Sequence, residues 1–274
     1  MKKVFICIVL LSMMGGECFS QSVWRMVKPI FSDADKEALT ALDKGYALAE
    51  QGKWAEAFPY LKFGADKGNI SIAQHEVAIC YQEGDGVAQD FAEALKYLHK
   101  AATNPKPWGA AFLSLGNCYY MGIGTPKNYE EAFKWYLKGA DIPDGVVTRE
   151  DITAQCMHRI GYAYLVGQGV QQDGNQAVYW LKKAAEYEDD RSIRILAVSY
   201  LSGDGVEKNE VEGVKWLKKA VEFGDAYLQY QMGIVYENGI GNTPKDKSKA
   251  LEWYRKAVEN GYTPALDAIR KLER

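Results

Sequence analysis

The 274-residue sequence predicts an all-α protein, a solenoid of about six helix-turn-helix repeats that is closed by a C-terminal helix. The main observation is a Gly-x-Gly motif that recurs five times, at intervals of 38, 45, 36 and 36 residues. A repeat period in this range is typical of stacked helix pairs. The composition agrees, because 47% hydrophobic and 25% charged residues are ordinary for a globular chain. The first glycines of the five motifs are Gly84, Gly122, Gly167, Gly203 and Gly239.

The first twenty residues, 1–20, have the layout of a secretory signal peptide. Two lysines precede an apolar run from Val4 to Met14, and small residues follow, so we expect cleavage after Ser20. A lipoprotein signal around Cys18 is the alternative, but Glu17 stands where that signal needs a small residue. No later stretch is long and apolar enough to cross a membrane. We therefore expect an exported protein, periplasmic or secreted, with no transmembrane segment in the mature chain.

A lead-in over residues 21–40 precedes the first repeat. That repeat, residues 41–69, has the second-helix pattern of the others around Trp54 but a short turn at Gly52 in place of Gly-x-Gly, so we interpret it as a degenerate first pair. The 45-residue interval contains an insertion at residues 141–150, which is either a functional loop or simple length variation. The five regular repeats are predicted at residues 72–105, 110–142, 155–188, 191–224 and 227–261.

Each regular repeat carries the signals of two helices joined by a tight turn. An Ala or Gly six positions before the motif lets a neighbouring helix come close, and the first glycine falls where the first helix needs a left-handed residue to end. An Asp or Asn six or seven positions later is a good N-cap for the second helix, and in four copies a Glu or Gln three positions on predicts a capping box. An aromatic residue thirteen or fourteen positions after the glycine is expected to turn inward. The predicted N-caps are Asp90, Asn128, Asp173, Asn209 and Asp246.

Residues 263–274 are predicted to form a single closing helix. Pro264 suits the first position of that helix, because its missing N–H would have no partner there in any case. Leu266, Ile269 and Leu272 then share one face. We expect this face to cover the apolar end of the last helix pair.

The repeated string A-x-x-x-L-G-x-x-Y-x-x-G-x-G-V, followed by D-x-x-x-A-x-x-W-L/Y-x-K-A-A, resembles the Sel1-like repeat, a relative of the tetratricopeptide repeat. The copy from Cys156 to Val170 fits closely and departs only at its first position, where Cys156 replaces Ala. The resemblance covers roughly residues 41–262. It implies a right-handed α/α superhelix with a protein-binding or scaffolding role and no catalytic residues.

The sequence argues against a nucleic-acid, dinucleotide or metal site. A net charge of −3 offers no excess of cations to neutralise phosphates. The Gly-x-Gly motif lacks the third glycine and the preceding strand of a dinucleotide fingerprint. His75 and His158 lie in repeats two apart, and His99 is expected on the polar side of a second helix, so no histidine pair is placed to hold a metal. We therefore predict no cofactor and no nucleic-acid partner.

Catalysis has little support in the sequence. Neither Gly-x-Ser-x-Gly nor Ser-x-x-Lys, two common nucleophile motifs, occurs in the chain. Some secreted, cysteine-rich members of the resembled family are linked to penicillin binding or β-lactamase activity, and those carry a regular cysteine pair in each repeat. Cys80, Cys118 and Cys156 do not reproduce that pair. A noncatalytic adaptor of the cell envelope is therefore the preferred function, and a cell-wall enzyme is the alternative.

Positions 12, 9, 8 and 5 before each motif glycine share one face of the first helix and vary between repeats. In the resembled family the first helix lines the concave surface, so this variable face is the candidate surface for a protein or peptide partner. Arg and Tyr are favoured at binding hot spots, and three arginines would suit an acidic peptide; the alternative is that they pair with nearby Asp and Glu. The candidate residues are Gln155, His158, Arg159, Tyr162, Arg191, Arg194, Tyr227, Tyr230 and Gln231.

Overall fold

A computed structural model describes residues 24–25, 28–31, 35–141 and 150–274. The predicted signal peptide, part of the lead-in and residues 142–149 of the insertion lie outside the described residues. Helices and their connecting turns make up the described chain, with no β-strand in it. The predicted fold class, an all-α solenoid of helix-turn-helix repeats with a C-terminal helix, is confirmed.

Thirteen α-helices lie within the described residues, and they alternate between the first and the second helix of successive pairs. The odd-numbered first helices are α1 (Lys36–Ala49), α3 (Ser71–Glu83), α5 (Gly109–Met121), α7 (Glu150–Val166), α9 (Asp190–Ser202) and α11 (Ala226–Asn238). The even-numbered second helices are α2 (Trp54–Lys67), α4 (Phe91–Ala102), α6 (Tyr129–Ala140), α8 (Gly174–Glu186), α10 (Glu210–Ala220) and α12 (Lys247–Glu259). The closing helix is α13 (Ala265–Glu273), and short 3-10 helices occupy Lys28–Phe31 and Val221–Phe223.

The chain divides into two compact units, and the division falls inside α7, between Cys156 and Met157. The first unit has a continuous apolar core that includes Leu61, Leu98 and Leu115. Trp24 from the lead-in belongs to this core and is fully buried. Its indole Nε1 donates a hydrogen bond to Asp43 Oδ1 at 2.7 Å, so the lead-in is anchored on α1.

The second unit has its own apolar core, in which Leu181, Leu196 and Leu217 are almost completely buried. Helix α13 covers the end of this unit through Ala265, Ile269 and Leu272, which pack against the cluster around Tyr254. The predicted face of α13 was wrong at Leu266, which is 39% exposed. The positions that pack against this cluster follow the spacing i, i+3, i+4 and i+7 from Ala265, and Leu266 is one residue out of that register.

The turn between the first and second helix begins with a left-handed glycine and ends with an N-cap in every regular repeat. The first motif glycine has φ between 70° and 84°, the left-handed conformation that was predicted. The side chains of the five predicted N-caps accept hydrogen bonds from backbone N–H groups in the first turn of the second helix, at 2.9 to 3.1 Å. These caps are therefore confirmed, including Asp246, whose repeat has no Glu or Gln three positions later.

The reciprocal half of the predicted capping box was wrong. The backbone N–H of each N-cap residue donates instead to the carbonyl of the tyrosine three residues before the motif, as Asp90 does to Tyr81 at 2.9 Å. The same bond forms in all five repeats, at 2.8 to 3.0 Å. Because this donor is already satisfied, the Glu three positions on turns to a lysine on the same helix, as Glu93 does to Lys96 at 2.9 Å.

The second glycine of the motif allows two repeats to meet at their backbones. A Cβ at Gly86 would lie 2.2 Å from the carbonyl oxygen of Trp54, the first residue of α2. Gly124 would meet Phe91 at 2.3 Å in the same way, and Gly241 would meet Glu210 at 2.4 Å. A side chain at this position would therefore push the turn away from the preceding repeat.

In each of the five regular repeats, the recurring aromatic residue of the second helix has a lysine three positions later over its ring. In the first unit Lys138 lies 4.0 Å from the centroid of Trp135, and in the second unit Lys219 lies 4.9 Å from that of Trp216. Such cation–π contacts are typical where a lysine stem covers an aromatic edge. The prediction that His99 lies on a polar face was wrong, because its ring packs on Trp135 with centroids 5.5 Å apart. Burial lowers the pKa of His99, and the positive charge of the nearby Lys138 also acts to lower it.

Candidate binding surface

His158 contributes to packing more than to the surface. Its side chain is 8% exposed, and its Nδ1 lies 2.9 Å from Ser192 Oγ and 3.3 Å from Asp189 Oδ1. Burial alone would raise the pKa of Asp189, but the hydrogen bonds from His158 and Ser192 hold it well below its usual range. This group therefore joins α7 to the start of α9 and leaves little of His158 for a partner.

Two of the three candidate arginines are paired with carboxylates. Arg191 is exposed, and its Nη2 lies 3.0 Å from Asp189 Oδ2. Arg194 is half-buried between Asp225, at 3.0 Å, and Asp190. The hydrogen bonds that Arg194 donates to these carboxylates, above all the one to Asp190, raise the pKa of Arg194. Three carboxylates thus lie beside two arginines. For Arg191 and Arg194, the structure agrees with the alternative that these arginines pair with nearby acidic residues.

Arg194 also helps to fix the start of α11. Asp225 is the N-cap of this helix and accepts from the backbone N–H of Leu228 at 3.0 Å. Its second carboxylate oxygen receives Arg194 from α9. The first turn of α11, which carries Tyr227, is therefore held by a cap and by an ion pair from the preceding repeat.

The tyrosines of the last repeat form an aromatic cluster with a residue that the sequence pattern did not select. Tyr227 is 43% exposed and lies edge-on to Tyr262, with ring centroids 5.8 Å apart. Tyr230 lies between Tyr262 at 5.0 Å and Tyr254 at 5.4 Å. The hydroxyl of the buried Tyr254 donates to Glu237 at 2.5 Å. We call Tyr227, Tyr230, Tyr254 and Tyr262 the tyrosine cluster.

The remaining candidates are half-buried and lie on first helices. Arg159 and Tyr162 are on the part of α7 that belongs to the second unit, and Gln231 follows Tyr230 on α11. Gln155 is also half-buried but belongs to the first unit. The structure thus brings Tyr227, Tyr230 and the missed Tyr262 together.

The described residues contain no group of three or more His, Cys, Asp or Glu arranged to hold a metal ion. In that same part of the chain, no helix is long and apolar enough to span a membrane. Cys80, Cys118 and Cys156 are buried thiols, and burial raises the pKa of Cys118 to about 11. No arrangement of the described side chains favours the cell-wall enzyme.

Comparisons with known proteins bear on the repeats. The Sel1 repeat family model matches residues 71–105, 111–143, 154–186, 191–225 and 226–262. A Sel1 repeat protein from Oxalobacter formigenes, solved by crystallography, is 28% identical over 88% of this chain and 89% of its own, with a TM-score of 0.66. The protective antigen c5321 of uropathogenic Escherichia coli, which displays an SLR fold, is 23% identical over 91% of this chain and 64% of its own, with a TM-score of 0.45. A search of curated proteins finds no match to the chain.

Proposed function

Because the chain belongs to the Sel1 repeat family, whose members generally act as protein-interaction scaffolds, we propose that it is a noncatalytic scaffold that binds a protein or peptide on the variable face of its first helices. The observation that supports this proposal is the tyrosine cluster of the last repeat. Tyr227 is one of the variable positions, its ring is exposed, and it contacts the ring of Tyr262, which also contacts Tyr230.

The cluster has the properties of a binding anchor. Tyrosine is enriched at hot spots because a large ring with few rotatable bonds buries much area and loses little conformational freedom. Ring contacts on two sides already restrain Tyr230, and the capped first turn of α11 restrains Tyr227. Little order would have to be gained on binding, so a larger share of the contact energy would appear as affinity.

The charges near the tyrosine cluster favour recognition of a partner through aromatic and hydrogen-bonding contacts. They give little support to long-range electrostatic attraction of an acidic partner. Arg194 has two carboxylate partners and Arg191 has one, so the basic stripe is largely neutralised. An acidic partner stays a prediction, and exposed Arg191 is the residue that could exchange Asp189 for a carboxylate of the partner.

The experiment is a capture assay with two variants, both of which replace tyrosine by alanine. Partners captured by the purified chain are compared with those captured by Tyr227→Ala/Tyr262→Ala and by Tyr179→Ala, which removes a ring that is 49% exposed on second helix α8. We expect the double variant to lose a specific partner by about tenfold or more, and the control to keep it. Equal capture by all three would contradict the proposed surface.

A second arm tests the arginines. Charge reversal of Arg159, Arg191 and Arg194 together should weaken capture of an acidic peptide and leave a neutral one unaffected. Thermal unfolding is recorded in parallel, because reversal of Arg194 removes a partner from the N-cap Asp225. Equal loss for both peptides would contradict charge-based recognition.

We also propose that the protein is exported to the cell envelope, on the layout of its first twenty residues. N-terminal sequencing of the protein from its own cells is expected to begin at Gln21. A chain that retains Met1 in the cytoplasmic fraction would contradict export, and a lipid on Cys18 would establish the lipoprotein alternative.

A further inference from the structure

The first unit contains a cleft of about 330 Å³ between neighbouring repeats. It lies where the C-terminal ends of α2 and α4 meet the connection that leads to α5, and its lining includes Asp66, Asn69, Gln74, Lys100 and Asn104. This size is at the lower end of small-molecule sites.

The floor of the cleft is a hydrogen-bonded group of side-chain amides. Gln74 and Asn104 are only 3% and 9% exposed. The Oδ1 atom of Asn69 accepts from Gln74 Nε2 at 2.8 Å and from Asn104 Nδ2 at 3.1 Å. Asn104 Nδ2 also donates to the backbone carbonyl of Asn69 at 2.8 Å. Because these buried amides are bonded to one another, the floor is formed before any ligand arrives.

One wall of the cleft carries an ion pair that can open. Asp66 accepts from the hydroxyl of Tyr97 at 2.9 Å and from Lys62, and Lys100 Nζ lies farther away, at 3.3 Å from Asp66 Oδ1. Both partners of the Asp66–Lys100 pair are partly exposed. Exposed pairs of this kind add little stability, so breaking this one costs little.

The electrostatics of the cleft favour a ligand with charges of both signs. The ammonium groups of Lys62 and Lys100 outnumber the single carboxylate of Asp66. Helices α2 and α4 both end beside the cleft, and a helix C-terminus carries about half a negative charge. Of these charged groups, Asp66 and Lys100 line the cleft with Oδ1 and Nζ 3.3 Å apart, so a ligand that carries both an ammonium and a carboxylate group can pair with each of them.

We propose that this cleft binds the zwitterionic head of a free amino acid or a dipeptide. The ammonium group of the ligand replaces Lys100 on Asp66 Oδ1, and its carboxylate pairs with the released Lys100 ammonium and with the side-chain N–H groups of Asn69. One ion pair, between Asp66 and Lys100, is exchanged for two pairs with the ligand, and the second carboxylate oxygen of Asp66 keeps its bonds to Lys62 and Tyr97. This site lies in the first unit and does not depend on the proposed partner surface.

The test uses dialanine and free alanine as probes, with two blocked forms as controls: N-acetyl-dialanine, which lacks the ammonium group, and dialanine amide, which lacks the carboxylate. Binding is followed by the ¹⁵N resonances of the side-chain amides of Asn69, Gln74 and Asn104. The variants are Lys100→Gln and, as the matched control, Lys96→Gln. Lys96 lies one turn earlier on α4, is exposed and pairs with Glu93 instead of lining the cleft.

We expect dialanine or alanine to shift all three amide signals with millimolar affinity. We expect each blocked form to bind more weakly, by a factor of about five or more. Lys100→Gln should weaken binding of dialanine by a similar factor, and Lys96→Gln should not change it. Equal binding of the free and blocked forms would overturn the zwitterion proposal. The absence of shifts at about 50 mM of either probe, or equal binding by both variants, would overturn the site itself.

Discussion

Alanine substitutions at two glycines with the same backbone conformation can distinguish the cost of backbone strain from the cost of a steric clash. Gly86 has φ 71° and Gly52 has φ 73°, and both lie in turns of the first unit. A Cβ at Gly86 would lie 2.2 Å from the carbonyl oxygen of Trp54, but at Gly52 it would meet nothing within 4 Å. Alanine in the left-handed region costs about 1–2 kcal/mol. Both variants should carry that cost and the same change in the unfolded chain.

Gly86→Ala should cost more because the turn or the start of α2 must move. Overpacking of a well-packed site typically adds about 1–3 kcal/mol. We therefore expect Gly52→Ala to lower the free energy of unfolding by about 1–2 kcal/mol and Gly86→Ala by about 2–5 kcal/mol. The assay is urea unfolding followed by circular dichroism, with both the midpoint and the slope compared. Equal losses for the two variants would refute the contact between the second motif glycine and the preceding repeat.

Three further predictions concern buried thiols, acid stability and a helix cap. A chain beginning at Gln21 should not react with a thiol reagent at pH 8 while it is folded, and three thiols should react in urea. Burial protects the three cysteines in the folded chain and raises the pKa of Cys118 to about 11. Fast reaction of the folded chain would contradict this prediction. Asp189 has a lowered pKa, so its stabilising effect is present at neutral pH and lost as the pH falls below its unfolded value near 4. Asp189→Asn should therefore be less stable at pH 7 and lose less stability between about pH 5 and pH 2, and parallel curves would contradict the pairing. Asp225→Ala should lower the free energy of unfolding by about 1–2 kcal/mol, because it removes the hydrogen bond to Leu228 N–H and a partner of Arg194; an unchanged value would show that the cap is not needed.

The features that depend on only a few consecutive residues, such as the turns and the helix caps, could be predicted from the sequence. The left-handed glycines and the Asp or Asn caps follow from local backbone geometry and from the short reach of a capping side chain, so their positions could be read directly. The capping box failed in its second half because the competing acceptor, the carbonyl of a tyrosine such as Tyr81, lies nine residues before the cap. Helix α13 was found, but its face was misjudged at Leu266 because the contact with the preceding pair sets the register.

The candidate surface depended on contacts that are distant in the sequence, and these could not be predicted from a pattern. Arg194 finds Asp225 thirty-one residues later, which neutralises a charge that the stripe alone left open. Tyr262 joins Tyr227 and Tyr230 from the connection after α12, outside the stripe positions. A tyrosine close behind the last regular repeat was the available signal, but only the fold shows which rings it meets.

The two kinds of connection differ in how much added chain they can absorb. Seven residues join the first helix to the second in four regular repeats and eight in the last, whereas the fully described connections from one repeat to the next range from three to six residues. The turn within a repeat cannot easily take up extra residues. Its last residue donates a hydrogen bond to the carbonyl of the tyrosine that precedes the motif, and its second motif glycine packs against the preceding repeat. Growth of the chain, natural or engineered, is thus confined to the boundaries between repeats. A foreign epitope should be accepted within residues 142–149, where the sequence already carries extra length, and rejected within residues 84–90.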